Sequence, residues 1–246
     1  MKKLMAANWK MYKTQDEARE SFVALAEAVG TVPDDREVLL FPPFTAINAC
    51  VDKLVPGFFV GGQNCHPAKE GAYTGEISTG MLVDVGCTHV LIGHSERRSL
   101  FLESDSFLAE KVVAAFGSGL KVVFCVGETL EEREEGNLAH ILHRQLVSLP
   151  NSIPDVAANL AVAYEPVWAI GTGKVAGPPE IVQAHTFIRE ALEKKYGVSG
   201  SQIRILYGGS VKPDNASTII KLDNVDGVLV GGASLHAASF SRIVLA

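Results

Sequence analysis

The sequence is poor in cysteine, and its few cysteines are not spaced for metal binding. Its 246 residues include Cys50, Cys65, Cys87 and Cys125 and no others. No two of them have the Cys-x-x-Cys spacing of zinc and redox motifs, and four thiols in a chain of this length do not make a disulfide scaffold. We therefore expect buried, reduced thiols in a protein of a reducing compartment.

The sequence also lacks an excess of positive charge and long apolar runs. Its formal net charge is −6, which argues against a nucleic-acid-binding surface because such a surface needs a basic stripe. No stretch approaches the ~18 apolar residues of a membrane helix, and the apolar run before Asn8 is too short for a signal-peptide core. We therefore expect a cytoplasmic protein that binds neither nucleic acid nor membrane.

Glycine motifs that bind nucleotides are absent as well. The first predicted strand–helix turn, Asn8-Trp9-Lys10-Met11, has no glycine fingerprint, and the sequence contains no P-loop. Gly171 and Gly173 lack the third glycine and the helix start that a fingerprint needs. No linker or shift in composition marks a second domain. These absences argue against a doubly wound, dinucleotide-binding sheet.

The chain does contain a regular alternation of short apolar, β-branched runs with amphipathic segments. Eight runs predict strands: Leu4–Trp9, Val38–Phe41, Phe58–Gly62, His89–Ile92, Lys121–Val126, Leu160–Tyr164, Ile203–Tyr207 and Gly227–Val230. The segments between and after them predict helices: Asp16–Val29, Ala46–Leu54, Ser78–Val85, Asp105–Ser118, Leu138–Leu149, Glu180–Tyr196, Asn215–Ile220 and Ala237–Val244. Eight such units predict the α/β class and a single (β/α)8 TIM barrel, one catalytic domain over residues 1–246.

In such a barrel the chemistry lies where the strands end, at their carboxyl side. Asn8 and Lys10 lie two apart at the end of the first strand, so an extended backbone would point both side chains the same way. His94 follows the fourth strand where a helix or turn would begin, and backbone N–H groups there favour a neutral imidazole. Glu96 can pair with Lys10 across the mouth of the barrel.

A carboxylate and a glycine-rich loop follow the sixth strand. Glu165 lies between an apolar strand and Pro166, and surroundings poor in water are expected to raise its pKa and its basicity. The residues from Pro166 to Lys174 run from large apolar side chains to glycines, which suits a loop that moves as a lid. Ile170, an apolar side chain near the tip, needs something to cover.

Two Gly-Gly turns follow the seventh and eighth strands, at Gly208-Gly209 and Gly231-Gly232. Glycine lets backbone N–H groups approach a ligand closely, and the loops after these two strands are the usual phosphate site of the barrel. Backbone dipoles and one lysine could thus hold a phosphate in spite of the negative net charge.

Together these stretches resemble the triosephosphate isomerase family, and they occur along the whole chain in the order of that family. The stretch from Tyr164 to Lys174 is highly specific by itself. The matching stretches are Asn8-Trp9-Lys10-Met11, Gly93-His94-Ser95-Glu96-Arg97-Arg98, Ala163 to Lys174, Tyr207-Gly208-Gly209-Ser210-Val211 and Val230-Gly231-Gly232-Ala233-Ser234.

The resemblance implies an isomerase of glycolysis and gluconeogenesis that interconverts dihydroxyacetone phosphate and D-glyceraldehyde 3-phosphate through an enediolate. It implies that Glu165 is the base, that neutral His94 polarises the carbonyl and that Lys10 stabilises the enediolate. Glu96 would support Lys10 and His94, and Asn8 would orient the substrate.

The resemblance further implies phosphate contacts, a lid and a partner subunit. Gly171, Ser210, Gly231 and Gly232 would contact the phosphate through their backbones. The segment Gln63–Glu76 looks like the loop that interdigitates between subunits of a homodimer, with Thr74 reaching toward the partner's site. No metal and no organic cofactor is implied.

Two other functions remain open for a barrel with these residues. A Schiff-base aldolase would need a nucleophilic lysine, but Glu96 beside Lys10 would keep that lysine charged. A non-catalytic sugar-phosphate binder would not need Lys10, His94, Glu165 and an intact lid together.

Overall fold

Eight parallel strands close into a barrel in the computed structural model, which describes residues 1–170 and 174–246. The strand order follows the sequence, and the first strand pairs with both the second and the eighth. The strands are β1 Lys3–Asn8, β2 Arg36–Phe41, β3 Phe58–Gly62, β4 His89–Ile92, β5 Lys121–Val126, β6 Leu160–Tyr164, β7 Arg204–Tyr207 and β8 Gly227–Val230. The predicted (β/α)8 barrel is confirmed, and all eight predicted strands are present with small differences at their ends.

Alternate residues of the strands form the interior of the barrel. Leu4 and Ala6 of β1 belong to a buried cluster that draws on the strands alone, whereas Met5 and Ala7 belong to a larger cluster that includes helix residues. This alternation follows from the period of two of a β-strand. Both faces of the barrel wall are therefore apolar, which explains the continuous apolar runs in the sequence.

Helices cover the outside of the barrel. The described residues form α1 Gln15–Val29, α2 Ile47–Val51, α3 Thr79–Asp84, α4 Ser95–Leu100, α5 Asp105–Gly117, α6 Leu130–Glu134, α7 Leu138–Val147, α8 Val156–Asn159, α9 Pro178–Tyr196, α10 Ala216–Ile220 and α11 Ala237–Val244. Short 3₁₀ helices span Phe44–Ala46, Val167–Ala169, Gly197–Gln202 and Gly232–Leu235. The predicted helix Ala46–Leu54 is therefore shorter than expected, and α8 was not predicted because four residues carry no helical period.

The four cysteines are free and buried, as the sequence predicts. Burial raises the pKa of Cys50, Cys65 and Cys87 to about 12. Over the two described ranges, no helix is both long and apolar enough to cross a bilayer.

Candidate active site

The end of β1 holds Lys10 in an unusual backbone conformation. β1 ends at Asn8, and Lys10 has a φ of 52°, in the left-handed region that non-glycine residues rarely adopt. The Asn8 side-chain oxygen accepts the backbone N–H of Lys10 at 2.9 Å. The expectation of an extended backbone through Lys10 was therefore wrong, because the chain turns directly after the strand. Both side chains nevertheless line the same cavity.

Lys10 is held at both its ends. Its Nζ lies 2.6 Å from Oε1 of Glu96, so the predicted pair across the mouth is present. The Gln63 side-chain amide donates to the Lys10 carbonyl at 2.8 Å and to the Phe41 carbonyl at 2.9 Å. A lysine with a fixed backbone and a paired ammonium group can present its charge at a set place in the cavity.

His94 follows β4 and precedes the first turn of α4. Its Nδ1 accepts the backbone N–H of Glu96 at 3.2 Å, so Nδ1 carries no proton in this arrangement. Its Nε2 lies 2.9 Å from Oε1 of Glu165, and a neutral ring would donate its Nε2–H to that carboxylate. The tautomer that could donate to a substrate oxygen is therefore the one that the local backbone selects.

Glu165 follows β6 and is only 2% exposed. Its backbone N–H donates to the Val126 carbonyl at 2.7 Å, which ties it to the end of β5. Its Oε2 accepts the Ser95 backbone N–H at 2.9 Å, and its Oε1 faces His94. The carboxylate is thus fully engaged by α4 and His94 in this arrangement.

These contacts overturn the expected direction of the pKa shift of Glu165. Burial by itself would raise the pKa, but His94, the Ser95 N–H and the Cys125 thiol together lower the pKa below its ordinary value. The sequence argument considered only the loss of water and could not include these three donors. A base held in this way must leave His94 and Ser95 before it becomes strongly basic.

The same pair shifts His94 in the opposite direction. Burial lowers the pKa of His94, but the Glu165 carboxylate outweighs burial and raises the pKa above its ordinary value. The Glu96 N–H that points at Nδ1 opposes a second ring proton. The neutral imidazole expected from the helix start therefore depends on where the Glu165 carboxylate is turned.

One cavity of about 400 Å³ gathers most of the predicted residues from five strand ends. Asn8, Lys10, His94 and Glu165 line it, together with Ala169 and Ile170 of the loop after β6. From the loops after β7 and β8, its wall contains Ser210, Val211, Lys212, Gly231, Gly232 and Ala233. Glu96 meets this cavity through Lys10, and Gly232 begins a short 3₁₀ helix that has no side-chain cap.

Glycine occurs in the two Gly-Gly turns for different physical reasons. A side chain at Gly208 would collide with the Cγ atom of Glu165, and one at Gly209 would collide with the Tyr207 hydroxyl. Around Gly232 a Cβ atom would meet open space. The first turn is therefore glycine because it packs against the carboxylate and its neighbours, whereas the sequence had suggested approach of a ligand.

Comparison with known proteins agrees with this arrangement. A family model described as triosephosphate isomerase matches residues 3–246. The triosephosphate isomerase of Nitratidesulfovibrio vulgaris (strain DSM 19637 / Miyazaki F) is 61% identical over 251 residues, with all of both chains covered. The chain belongs to the triosephosphate isomerase family.

Other members of the family are similar over their whole length too. The triosephosphate isomerase of Oleidesulfovibrio alaskensis is 58% identical over 250 residues, again with all of both chains covered. The crystal structure of triosephosphate isomerase from Bartonella henselae has a TM-score of 0.90 at 40% identity and covers 99% of this chain and 98% of its own. The chain is an enzyme of this family, an isomerase with a TIM barrel.

Some predicted residues lie away from the cavity or outside the described part of the chain. Gly171, the predicted phosphate contact of the lid, lies outside the described residues. Thr74 lies in the exposed part of the segment Gln63–Glu76 and does not line the cavity. In residues 1–170 and 174–246 no group of three or more His, Cys, Asp or Glu side chains could hold a metal ion.

Sequence reasoning missed Glu128, which anchors the start of the loop after β6. The fully buried Glu128 carboxylate accepts the Tyr164 hydroxyl and the Trp168 indole N–H, each at 2.9 Å, and Arg133 lies 3.3 Å away. Its carbonyl accepts the Val167 N–H at 3.0 Å. A signal was available, because Glu128 lies only two residues after the apolar run of β5.

Proposed function

We propose that this enzyme interconverts dihydroxyacetone phosphate and D-glyceraldehyde 3-phosphate by moving a proton between adjacent carbons. The observation that carries the proposal is the single cavity shared by Glu165, His94, Lys10 and Asn8 on one side and by the loops after β7 and β8 on the other. A carboxylate base, an N–H donor and a cation face the same space as the backbone groups suited to a phosphate.

Glu165 would take the proton from the carbon beside the carbonyl and return it to the neighbouring carbon. It reaches the substrate only after it leaves the Ser95 N–H and His94, and this change would also raise its pKa, since those contacts lower it. The neutral His94 ring would then donate its Nε2–H to the substrate oxygens, which develop negative charge in the enediolate. The enzyme gains and loses no net proton over the cycle, because the Glu165 carboxyl group is ionised at its end as at its beginning.

Lys10 would stabilise the enediolate, and Asn8 would orient the substrate. The 2.6 Å contact with Glu96 and the bond from Gln63 to the Lys10 carbonyl support this role, since they fix the ammonium group before the substrate arrives. The left-handed backbone at Lys10 is a strained conformation of the kind often found at functional sites.

Ser210, Gly231, Gly232 and Gly171 would hold the phosphate through their backbones. Ser210, Gly231 and Gly232 share the cavity with Lys212, and Gly232 starts a helical turn that can bind an anion. The loop from Pro166 to Lys174 would close over this ligand, and Ile170, which lines the cavity, would be covered on closing.

We propose further that the enzyme is a homodimer built on the segment Gln63–Glu76. The stretch Lys69–Glu76, which includes Thr74, is exposed along its whole length in the single chain. Exposed apolar side chains also occur in the loop after β1 and at the end of α4: Met11, Leu100, Phe101 and Leu102. A partner subunit would cover these side chains, and Thr74 would reach its site.

The remaining proposals concern location and domain organisation. We propose a cytoplasmic enzyme that works as one catalytic domain over residues 1–246 without a metal or an organic cofactor. The four free thiols and the family match to residues 3–246 support these statements.

The Glu165→Asp variant tests the proposed base. Removing one methylene withdraws the carboxylate by roughly 1 Å, which should lower kcat on the order of 100-fold. A coupled assay with either triose phosphate measures the change. Glu131→Asp, which removes a methylene from an exposed carboxylate on α6, should keep the wild-type kcat. A Glu165→Asp enzyme with near-wild-type kcat would exclude Glu165 as the base.

A further inference from the structure

Gln145 is a buried amide among apolar neighbours. It lies on α7 and is 3% exposed, whereas the other buried side chains of that helix are Leu138, Ile141, Leu142 and Leu146. A polar group is costly in such a place unless both its donor and its acceptor are used. Both are used here, on a single partner residue.

That partner is Gly127, the residue after β5. The Gln145 Oε1 atom accepts the Gly127 N–H at 2.8 Å, and the Gln145 Nε2 atom donates to the Gly127 carbonyl at 3.0 Å. The amide thus pairs with one residue of main chain as a neighbouring strand would. Pairing along β5 and β6 ends at Val126 and Tyr164, so the side chain takes over where the sheet stops.

Gly127 in turn touches the backbone of Glu165. A Cβ atom built on Gly127 would overlap the Glu165 carbonyl oxygen, so the two main chains are in direct contact without a side chain between them. A displacement of Gly127 must therefore be passed to Glu165, since packed atoms leave no gap to absorb it.

The neighbours of Gly127 hold the same segment. The Val126 carbonyl accepts the Glu165 N–H at 2.7 Å, and the Glu128 carbonyl accepts the Val167 N–H at 3.0 Å. Three consecutive residues at the end of β5 thus carry the segment from Glu165 to Val167. Among the bonds described for these three residues, Gln145 provides the two that hold the middle residue from outside the barrel.

We propose that Gln145 is a positioning residue for the base: its amide fixes Gly127 and, through Gly127, sets the place of the Glu165 backbone. This inference rests on the proposed role of Glu165 as the base. Gln145 does not line the cavity that holds Lys10 and Ser210, although it lines a neighbouring cavity that Gly127 and Glu165 also reach. Its two hydrogen bonds join it to the Gly127 main chain, and through Gly127 it acts on Glu165.

Gln145→Met tests the proposal, because methionine keeps the length of the side chain and removes both hydrogen bonds. We expect kcat to fall roughly 10- to 100-fold, since a misplacement of about 1 Å can cost a factor of 100, while KM changes less than about threefold. Binding of a phosphorylated enediolate mimic should weaken with kcat/KM. The inhibition constant of inorganic phosphate should stay unchanged, since the loops after β7 and β8 would hold phosphate without Glu165.

Two further variants separate positioning from general loosening of α7. Leu146→Ala removes buried apolar contacts from the adjacent residue and should leave kcat per folded molecule within about twofold of wild type. Gln145→Glu keeps an acceptor for the Gly127 N–H, so its kcat should lie between those of Gln145→Met and wild type. If Gln145→Met does not fold, the comparison of Gln145→Glu with wild type tests the proposal instead.

Several outcomes would overturn the proposal. A Gln145→Met enzyme with wild-type kcat would do so, as would an equal loss of kcat in Leu146→Ala or an equal weakening of inorganic phosphate. If the wild-type chain had no isomerase activity, the proposed function would fail instead. In that case a crystal structure of Gln145→Met, compared with wild type, decides whether the Glu165 backbone moves.

Discussion

Buried side chains of this enzyme keep their charge states through a few specific contacts. His185 of α9 is fully buried, and its Nδ1 faces the Asn224 carbonyl at 2.9 Å, so Nδ1 must carry the proton of a neutral ring. Its ring meets the Tyr164 ring edge-on at 5.8 Å. Burial lowers the pKa of His185 to about 4, and nearby Arg189 adds to this, against Asp226 and the Asn224 carbonyl.

This contact predicts how stability responds to acid. Between pH ~6.5 and ~4 the unfolded chain binds a proton at His185 and the folded chain does not, so this histidine makes the fold less stable as the pH falls. His185→Asn can keep a donor for the Asn224 carbonyl and removes the titration. At pH 7 the free energy of unfolding of this variant should be lower than that of wild type. The difference between the two should shrink by about 1 kcal/mol for each pH unit below 6.5.

Urea unfolding at a series of pH values measures this change. His140→Asn makes the same substitution at an exposed position on α7 and serves as the control. A deficit of His185→Asn that stays constant from pH 7 to pH 4.5 would contradict the prediction.

At the residue scale, the sequence predicted the identities of the site residues better than their contacts. Asn8, Lys10, His94 and Glu165 could be named because each follows an apolar run. The turn at Lys10 and the two hydrogen bonds between Gln145 and Gly127 could not be predicted, because both depend on partners fixed by the closed barrel. The pKa of Glu165 was missed for the same reason.

At the scale of elements, the end of β5 and the start of the loop after β6 form one unit. Glu128 joins Tyr164 of β6 to Trp168 in the first turn of the loop, and Ala169 and Ile170 already line the cavity. The first turn of the loop after β6 is therefore anchored to the barrel.

Removing the lid tests what it does to the intermediate. Deleting Ile170 to Lys174 should divert the enediolate to loss of phosphate and formation of methylglyoxal, because the phosphate is no longer held in plane and water enters. Methylglyoxal formed per turnover is the measurement. Glu165→Asp, which slows the chemistry under an intact lid, serves as the control and should give no increase. An absence of extra methylglyoxal in the deletion variant would contradict the role.

Elements with a strong period were predictable, and some of the shortest were not. All eight strands lie where their β-branched runs indicated, with differences of one or two residues at some ends. The four-residue α8 and the short 3₁₀ helices depend on how the chain returns to the barrel. Local sequence has little influence on such segments.

At the scale of the whole molecule, the barrel leaves apolar side chains unburied on its loops. Leu102 is 81% exposed and follows Leu100 and Phe101, which are also exposed. Three consecutive exposed apolar residues are unusual for a monomer and support the proposed dimer.

Leu102→Glu tests that surface. A charge in a desolvated interface should weaken association, so the variant should sediment as a monomer at concentrations where wild type is a dimer, and lose activity with it. Val198→Glu is a matched control, because Val198 is 83% exposed and lies in the short 3₁₀ helix after α9. A Leu102→Glu variant that remains a dimer would contradict the assignment of this surface.

The four cysteines have a practical consequence for labelling. Thiol-directed dyes and spin labels react with the thiolate, and burial raises the pKa of Cys50, Cys65 and Cys87 to about 12 and that of Cys125 well above the ordinary value. The natural chain is therefore an unreactive background for attachment chemistry. A single cysteine introduced at an exposed position such as Val198 would take up the probe, with no need to replace the native four.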